Sequence, residues 1–207
     1  MANNQNAESI RFAPKAVIYF APKGTDVSGL LADVMAPVPA DFTALGYTAE
    51  DGIELTPAVE SNPVNVHQSA TPVKYVVASA SVSFTFTMMQ FDENTVPVYF
   101  GVDFTDGTDG TKVLDLSSTP DLAENAVIIE WGDYVETAGT LPEDPATLVS
   151  GTKARLVVPR GMLSERNAIS LTKSDAQQLG VTMQALDANG SLGKVLMKSA
   201  TGSVPSP

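Results

Sequence analysis

The sequence predicts a mostly β body with one packed helix, and three observations carry that prediction. The stretch Ser79 to Met88 reads Ser-Ala-Ser-Val-Ser-Phe-Thr-Phe-Thr-Met. Ala80, Val82, Phe84, Phe86 and Met88 are apolar, while Ser79, Ser81, Ser83, Thr85 and Thr87 carry only a hydroxyl. A faultless period of two belongs to a strand with one dry and one wet face. Short β-branched and aromatic runs closed by Gly, Pro or Asp recur along the chain, as in Lys15 to Ala21 and Ala126 to Tyr134, which is the pattern of strands between turns. The clearest helical stretch, Gln90 to Gly101, follows directly on the organising strand.

Upstream of Ser79 the apolar positions are Val73, Tyr75 and Val77, so the parity changes across Val77 and Ala78. A one-residue slip turns every side chain to the other face, so a bulge or a change of partner is expected there. Drawn as one strand, positions 73 to 89 would span roughly 56 Å. A compact domain of this length has a radius of gyration of about 17 Å. The strand is therefore expected to bend sharply, or to project and complete its hydrogen bonding on another copy of the chain, because a bare edge of that length aggregates.

Taken in order, residues 1–12 are polar and read as a flexible arm, followed by a single domain over 13–198. Lys15 to Ala21 is a strand stopped by Pro22-Lys23-Gly24. Asp26 to Met35 has a short-helix pattern, with Asp26 or Ser28 as cap and Leu30, Leu31, Val34 and Met35 as its stripe. Asp51-Gly52 marks a tight turn into a strand, and Ala58 to Pro72 is polar and Pro-bearing, a strand or a long loop. In the 90–101 helix, Asp92 or Asn94 is the cap, Pro97 is tolerated only in the first turn, Gly101 ends it, and Val96, Tyr99 and Phe100 face inward. Residues 112–116, 126–134 and 152–159 read as strands, and 139–151 as a Pro-bearing loop. A last hairpin, 180–187 with 191–197, is expected around Asn189-Gly190, a pair suited to a primed turn. Residues 199–207 read as a flexible tail. No internal repeat is found.

With 207 residues and no cysteine, the chain has enough length for a real core and owes nothing to disulfides or thiolate metal sites, which favours intracellular assembly. The start Met-Ala-Asn-Asn-Gln-Asn is not a signal peptide, and no apolar run reaches the roughly 18 residues that cross a bilayer. No membrane partner is expected. The formal net charge is -12. It divides unevenly: residues 92–144 hold thirteen acids against Lys112 alone, while residues 145–207 hold three acids against seven bases. Two readings stay open, an acidic block that keeps a β surface soluble, and an acidic middle that meets the basic end of the next copy head to tail. Either way the anionic balance argues against nucleic acid as a bound ligand.

Three groups of residues then resemble the major tail protein, the tail tube subunit, of long non-contractile phage tails. They are Ala44-Leu-Gly-Tyr-Thr-Ala-Glu-Asp-Gly-Ile-Glu-Leu-Thr56, the strand and helix from Ser79 to Gly101 ending Val-Tyr-Phe-Gly, and Arg155-Leu-Val-Val-Pro-Arg160 with Leu163-Ser-Glu-Arg166 and the 180–187 strand. Their order and spacing cover most of positions 15–197, and Pro97 departs from the uninterrupted helix of the family. The resemblance implies a β-sandwich or half-barrel with one flanking helix, lending strands to a barrel shared between subunits. It implies hexameric rings stacked into a tube through which DNA passes without specific binding. A tape measure protein would lie inside, and terminator and distal tail proteins at the ends. The virion tail, assembled in the host bacterial cytoplasm, is the implied location, and no cofactor is implied. The barrel or lumen residues proposed on this basis are Ser79, Ser81, Ser83, Thr85 and Thr87, with Glu54 and Glu60 supplying charge. The 58–71 loop and the two termini are expected at ring-to-ring contacts.

Other residues are weighed against plainer readings. His67 is the only histidine and sits in a polar stretch without a nucleophile elbow, so a hydrolase triad finds no support. Asp103, Asp106 and Asp109 have the oxygens for a calcium ion, but not the EF-hand spacing, and Asp-Gly is ordinary turn chemistry. Trp131 alternates with Ile129 and reads as a core or interface anchor. Glu143 and Asp144 lie between prolines in a solvated loop, with no opposing carboxylate for acid-base work. A structural, non-enzymatic protein is the expectation; the alternative is a non-enzymatic β-sandwich binding or head-decoration module of a virion.

Overall fold

The computed structural model describes residues 13, 15–118, 123–132 and 153–198. The expected arm 1–12, the loop 139–151 with Glu143 and Asp144, the end of the 126–134 strand, and the tail 199–207 lie outside the described residues.

The described strands are β1 (Lys15–Pro22), β2 (Thr43–Ala44), β3 (Thr48–Val64), β4 (Lys74–Met88), β5 (Thr105–Asp106), β6 (Lys112–Val113), β7 (Glu124–Gly132), β8 (Lys153–Arg166), β9 (Leu179–Ala185) and β10 (Lys194–Lys198), with helix α1 (Thr95–Phe100) after β4. The main sheet is antiparallel in the order β2-β1-β7-β8-β9-β4-β3, and β10 pairs with β8 beside that path. Its two edge strands, β2 and β3, are separated in sequence only by Leu45-Gly46-Tyr47. That short link keeps the two edges near each other without pairing them, so the sheet rolls into the mainly β half-barrel with one flanking helix. Phe20 of β1 and Phe86 of β4 accordingly touch across the interior, with ring centroids 6.2 Å apart. At the crossing, Gly46 has φ +75, and a Cβ there would collide with the Gln90 side chain, whose Oε1 accepts the Tyr47 N–H at 2.8 Å.

The core inside the roll is built from Ile18, Phe20, Phe84, Phe86, Met88, Val127, Ile129, Leu156, Val158, Val181 and Met183, with Val96 and Tyr99 of α1 closing one end. The apolar half of the alternating strand therefore does face inward. A second apolar layer lies on the other side of β7 and β8, where Val27, Leu30 and Phe42 cover Ala126, Ile128 and Val157.

Several boundaries differ from the sequence expectation. The long strand is not waiting for another molecule along both edges: β3 pairs with β4 from Thr48↔Met88 to Val64↔Lys74. The segment 58–64, expected as loop, is thus strand, because Ala58, Glu60 and Asn62 extend the register in which prolines 57 and 63 occupy an edge. Edge positions tolerate proline because the missing N–H is not needed there. The parity change is a bulge, since Glu60 pairs with Ser79 but Ser61 pairs with Val77, leaving Ala78 extra. Asp51-Gly52 is likewise an irregularity within β3, between Thr48 and Ile53, and not a separate turn.

The helix is shorter than 90–101 because the Asp92 carboxylate bonds the N–H groups of Asn94 and Thr95, starting the helix there. Pro97 then falls in the first turn, and Gly101 ends the helix at φ 70. The 26–35 helix reduces to a 3-10 turn at Ser28–Leu31, and the 112–116 strand to Lys112–Val113, paired with β5. The 152–159 strand begins among the described residues at Lys153 and runs on to Arg166.

The expected C-terminal hairpin does not form. β9 and β10 both pair with β8, at Gly161–Arg166 and Lys153–Val157 respectively. They run in the same direction along one edge, like a single interrupted strand. Asn189 and Gly190 do have positive φ, and Ala188 and Ser191 exchange two backbone hydrogen bonds. The turn is real, but only those two residues flank it, so it makes an excursion and not a reversal of pairing.

One buried ion cluster fixes the second layer to the sheet. Arg155 and Glu130 are both fully buried, and Arg155 Nε donates to Glu130 Oε1 at 2.6 Å. Its other nitrogens donate to the carbonyls of Asp33 and Ala36, and Lys153 Nζ lies 3.2 Å from the same carboxylate. Removing one partner of such a pair leaves an uncompensated buried charge and costs about 3–5 kcal/mol. Arg155→Ala should lower the thermal midpoint by on the order of 10 °C, given about 2–4 °C per kcal/mol at this chain length. Glu130→Leu, which leaves both Arg155 and the buried Lys153 without their carboxylate, should lower it by more. A scanning-calorimetry loss for Glu130→Leu smaller than for Arg155→Ala would refute the clamp.

Candidate assembly surfaces

Three surfaces stand out, and the β3–β4 hairpin contributes to all of them. The first is the outer face of β3, β4 and β9. The register sets Glu54 opposite Thr85, Thr56 opposite Ser83, Ala58 opposite Ser81 and Glu60 opposite Ser79. It also sets Thr182 and Gln184 beside Thr85 and Ser83. Ser79, Ser81, Ser83, Thr85, Thr87, Glu54 and Glu60 therefore all lie on one face. Ser79 Oγ donates to Glu60 Oε2 at 3.0 Å, and the hydroxyls of Thr85 and Thr182 are 3.0 Å apart. The only Lys or Arg in these three strands is Lys74, which lies beyond the bulge. The face is smooth, hydroxylated and acidic.

The second surface is the projecting part of the hairpin. Of β4, only Ser83–Met88 pairs with β9, so Lys74–Val82 stands clear of the body for roughly 30 Å at about 3.3 Å per residue. Because of the bulge at Ala78, Val77 and Tyr75 stay on the same side as Ala80, Val82 and Phe84. That side has left the core: Val59 is 67%, Tyr75 63%, Val77 63% and Val73 57% exposed. A contiguous apolar stripe of this kind marks an interaction surface. His67 lies in the exposed turn at the tip.

The third is an open groove of about 860 Å³ at the seam where the roll fails to close, between Lys15–Val17 of β1 and Ala49–Leu55 of β3. Its walls include Tyr47, Ile53, Leu55, Ile129, Trp131 and Leu156. Trp131 is half-buried and packs on the end of the core. Neither the groove nor the stripe on 57–63 was visible in the sequence reading, which treated that segment as loop.

The charge segregation does not become two opposing patches. Of the seven bases in residues 145–207, Lys153 and Arg155 are spent on Glu130, Arg160 on Glu124, and Arg166 on the carbonyls of Tyr99 and Phe100. Only Lys173, Lys194 and Lys198 remain outside these contacts, so a head-to-tail contact of an acidic middle with a basic end loses most of its cations. The Asp103, Asp106 and Asp109 carboxylates do not form a ligand set, since Asp106 takes Lys112 Nζ at 2.7 Å. Among the described residues no three carboxylate or imidazole groups converge as metal ligands. Val96 and Tyr99 are buried beneath α1 and Phe100 is partly so.

The family described as phage tail tube protein matches residues 1–205 of this chain. The chain belongs to the phage tail tube proteins. As a tail tube protein it is a structural component of the virion tail and not an enzyme, and its family assembles from copies of one chain into tubes. No curated protein sequence matches it. Among solved structures, a chain of the 6-fold symmetrised cryo-EM structure of the anti-feeding prophage (AFP) baseplate is similar at TM-score 0.45, with 8% identity over 93% of this chain and 98% of that one. The crystal structure of Hcp protein is similar at TM-score 0.33, with 12% identity over 89% of this chain and 98% of the other.

In this tail tube protein one surface ion cluster ties β1, β7 and β8 at the rim. Glu124 accepts from Arg160 Nε at 2.8 Å and Nη2 at 3.0 Å, and Lys23 Nζ lies 3.1 Å away. Hydrogen bonds from Arg160 and then Lys23 lower its pKa from 4.5 to about 2. A carboxylate whose folded pKa is depressed adds stability above its unfolded pKa and loses it as pH falls through the folded value. Glu124→Gln should therefore unfold at lower temperature than the parent at pH 7, with the gap closing between about pH 4.5 and 2. A gap that stays constant across that range would exclude this carboxylate as its source.

Proposed function

We propose that this chain forms the tube of a long non-contractile tail as stacked hexameric rings, with the hydroxyl face of β3, β4 and β9 toward the channel that the double-stranded genome traverses. The observation that carries this reading is that Ser79, Ser81, Ser83, Thr85, Thr87, Glu54 and Glu60 share one face, on strands whose only cation is Lys74. DNA binds proteins by exchanging its condensed counterions for Lys and Arg, so a wall without them gives the duplex nothing to adhere to. Carboxylates repeated round a ring would also repel phosphate. The mechanism is passive: a rigid conduit, kept non-adhesive by what its lining lacks.

On this reading residues 13–198 are one domain, and the projecting hairpin bridges rings, with the 58–71 region at its far end. A tape measure protein occupies the channel during assembly in the host cytoplasm, and terminator and distal tail proteins cap the tube. Asp103, Asp106 and Asp109 are surface residues on this reading, with Asp106 of β5 paired to Lys112.

Two experiments test the reading. Val59 and Ala80 are direct partners, so replacing residues 60–79 by Asn-Gly shortens the hairpin at a site suited to a two-residue turn. That variant should keep its cooperative unfolding and form no tubes by negative-stain microscopy; normal tubes would remove the hairpin from assembly. The chain has no cysteine, so Thr85→Cys introduces a single thiol. In tubes it should react with a small maleimide and be shielded from a polymer-linked one, while the unassembled subunit reacts with both. Equal labelling of tubes and subunits by the polymer reagent would place this face outside the channel.

A further inference from the structure

The stripe and the groove described above are exposed apolar features of the described residues, one convex and one concave. We infer that they fit each other between copies: the groove beside Trp131 is the acceptor for the Val59, Tyr75 and Val77 stripe of a second copy's hairpin. This rests on the tube reading and adds to it the residues at both sides of the contact.

The groove is an open trough with a largely apolar floor. Its volume of about 860 Å³ is many times the roughly 30 Å³ that one water occupies. Val17, Ile53, Leu55, Ile129, Trp131 and Leu156 offer that water almost no hydrogen bonds, and the opening leads directly onto Ile129 and Leu156 of the main core. Among the described residues its two rims are strand edges without a further partner, since there β3 pairs only with β4, and β2 pairs with β1 only at Tyr19 and Phe20. Unpaired edges beside an apolar trough form a slot that an extended strand fits, through main-chain bonds and alternate side chains.

The stripe has the matching form. It is extended, its side chains alternate, and its residues are more than half exposed. The chain cannot satisfy itself, because the groove is lined by the root of its own hairpin at Ile53 and Leu55. Leu55 pairs with Phe84, seven residues from Val77, or roughly 23 Å along the strand. Contact of one patch with a different patch is heterologous, so each copy donates to one neighbour and accepts from another, and the series propagates or closes into a ring.

Because the chain contains one tryptophan and no cysteine, the contact has two specific reporters. In the full chain, Val77→Cys together with Leu55→Cys should give a ladder of covalent multimers on oxidation of assembled tubes, at several-fold higher yield than either single variant. Trp131 emission of the parent should shift to the blue on assembly, and in Val77→Asp, a change at an exposed site, it should stay at the subunit value while the protein remains folded and unassembled. Tubes that form with no cross-linking above the single variants and with unshifted Trp131 emission would overturn the groove as acceptor and leave the tube reading standing. Cross-linking of Val77→Cys alone into dimers would overturn it in favour of a hairpin-to-hairpin contact. Failure of the parent to form rings or tubes under any condition would overturn the tube reading and this contact with it.

Discussion

The molecule depends on the pairing of β3 with β4 from Ile53↔Phe86 out to Val64↔Lys74, and on the one extra residue, Ala78, that β4 carries within that stretch. Without the bulge, the apolar set Val73, Tyr75 and Val77 would fall on the face that carries Ser79, Ser81 and Ser83, and no surface would be uniform for long. With it, one side of the ribbon is apolar from the core at Met88 to the tip, and the other is hydroxylated from Thr87 to Ser79. The same ribbon thus supplies Phe84, Phe86 and Met88 to the interior and an unfinished apolar stripe to the outside. Folding buries its root and leaves its end exposed, which the proposed association would cover.

Much of this was legible before any coordinates, for a reason particular to the period-two signal. The alternation of Ser79 to Met88 specifies which side chains share a face whatever their partners are, and the parity break at Val77 and Ala78 specifies where the ribbon must absorb a residue. Pairing partners are another matter. Nothing local in Ala58-Val-Glu-Ser-Asn-Pro-Val64 says strand, because its prolines and polar residues are chosen for an edge, where the outer N–H groups need no bond. The segment is strand only because β4 lies beside it. Asn189-Gly190 shows the converse: the dihedral preference was correct, yet a turn fixes only its immediate neighbours, and β8, long enough to pair with both β9 and β10, decides the rest.

The electrostatics followed a similar course. Counting charges along the chain left a head-to-tail contact through a cationic end as one of two readings, and Lys153, Arg155, Arg160 and Arg166 instead act mostly as internal fasteners. A finer signal existed in the same residues. Glu130 stands alone in Val-Ile-Ile-Glu-Trp and Arg155 alone in Ala-Arg-Leu-Val-Val, each an isolated charge in a run that otherwise buries itself. An acid in one such run and the bases Lys153 and Arg155 at the head of the other point to each other, since none of them can be buried unpaired. They pair in adjacent strands, and the arginine, with five donors to place, also gathers the carbonyls of Asp33 and Ala36. That explains arginine over lysine at this position: a point charge would neutralise Glu130 but could not also hold the 33–36 turn against the sheet.

A tail tube protein must present two chemically opposite surfaces, one that sticks to its own kind and one that sticks to nothing passing by. A globular subunit ordinarily separates such surfaces onto different elements, at the cost of having to orient them relative to each other. On the proposed reading both are the two sides of one ribbon, whose pleat holds them opposite each other along its length. When the apolar side is fixed against a neighbour, the hydroxyl side is necessarily turned away from that contact, so the geometry that drives association also determines what the assembly exposes. The length of the ribbon beyond the body is then a requirement, because a hairpin that ended at Val82 would have its apolar side wholly inside its own core and nothing left with which to join.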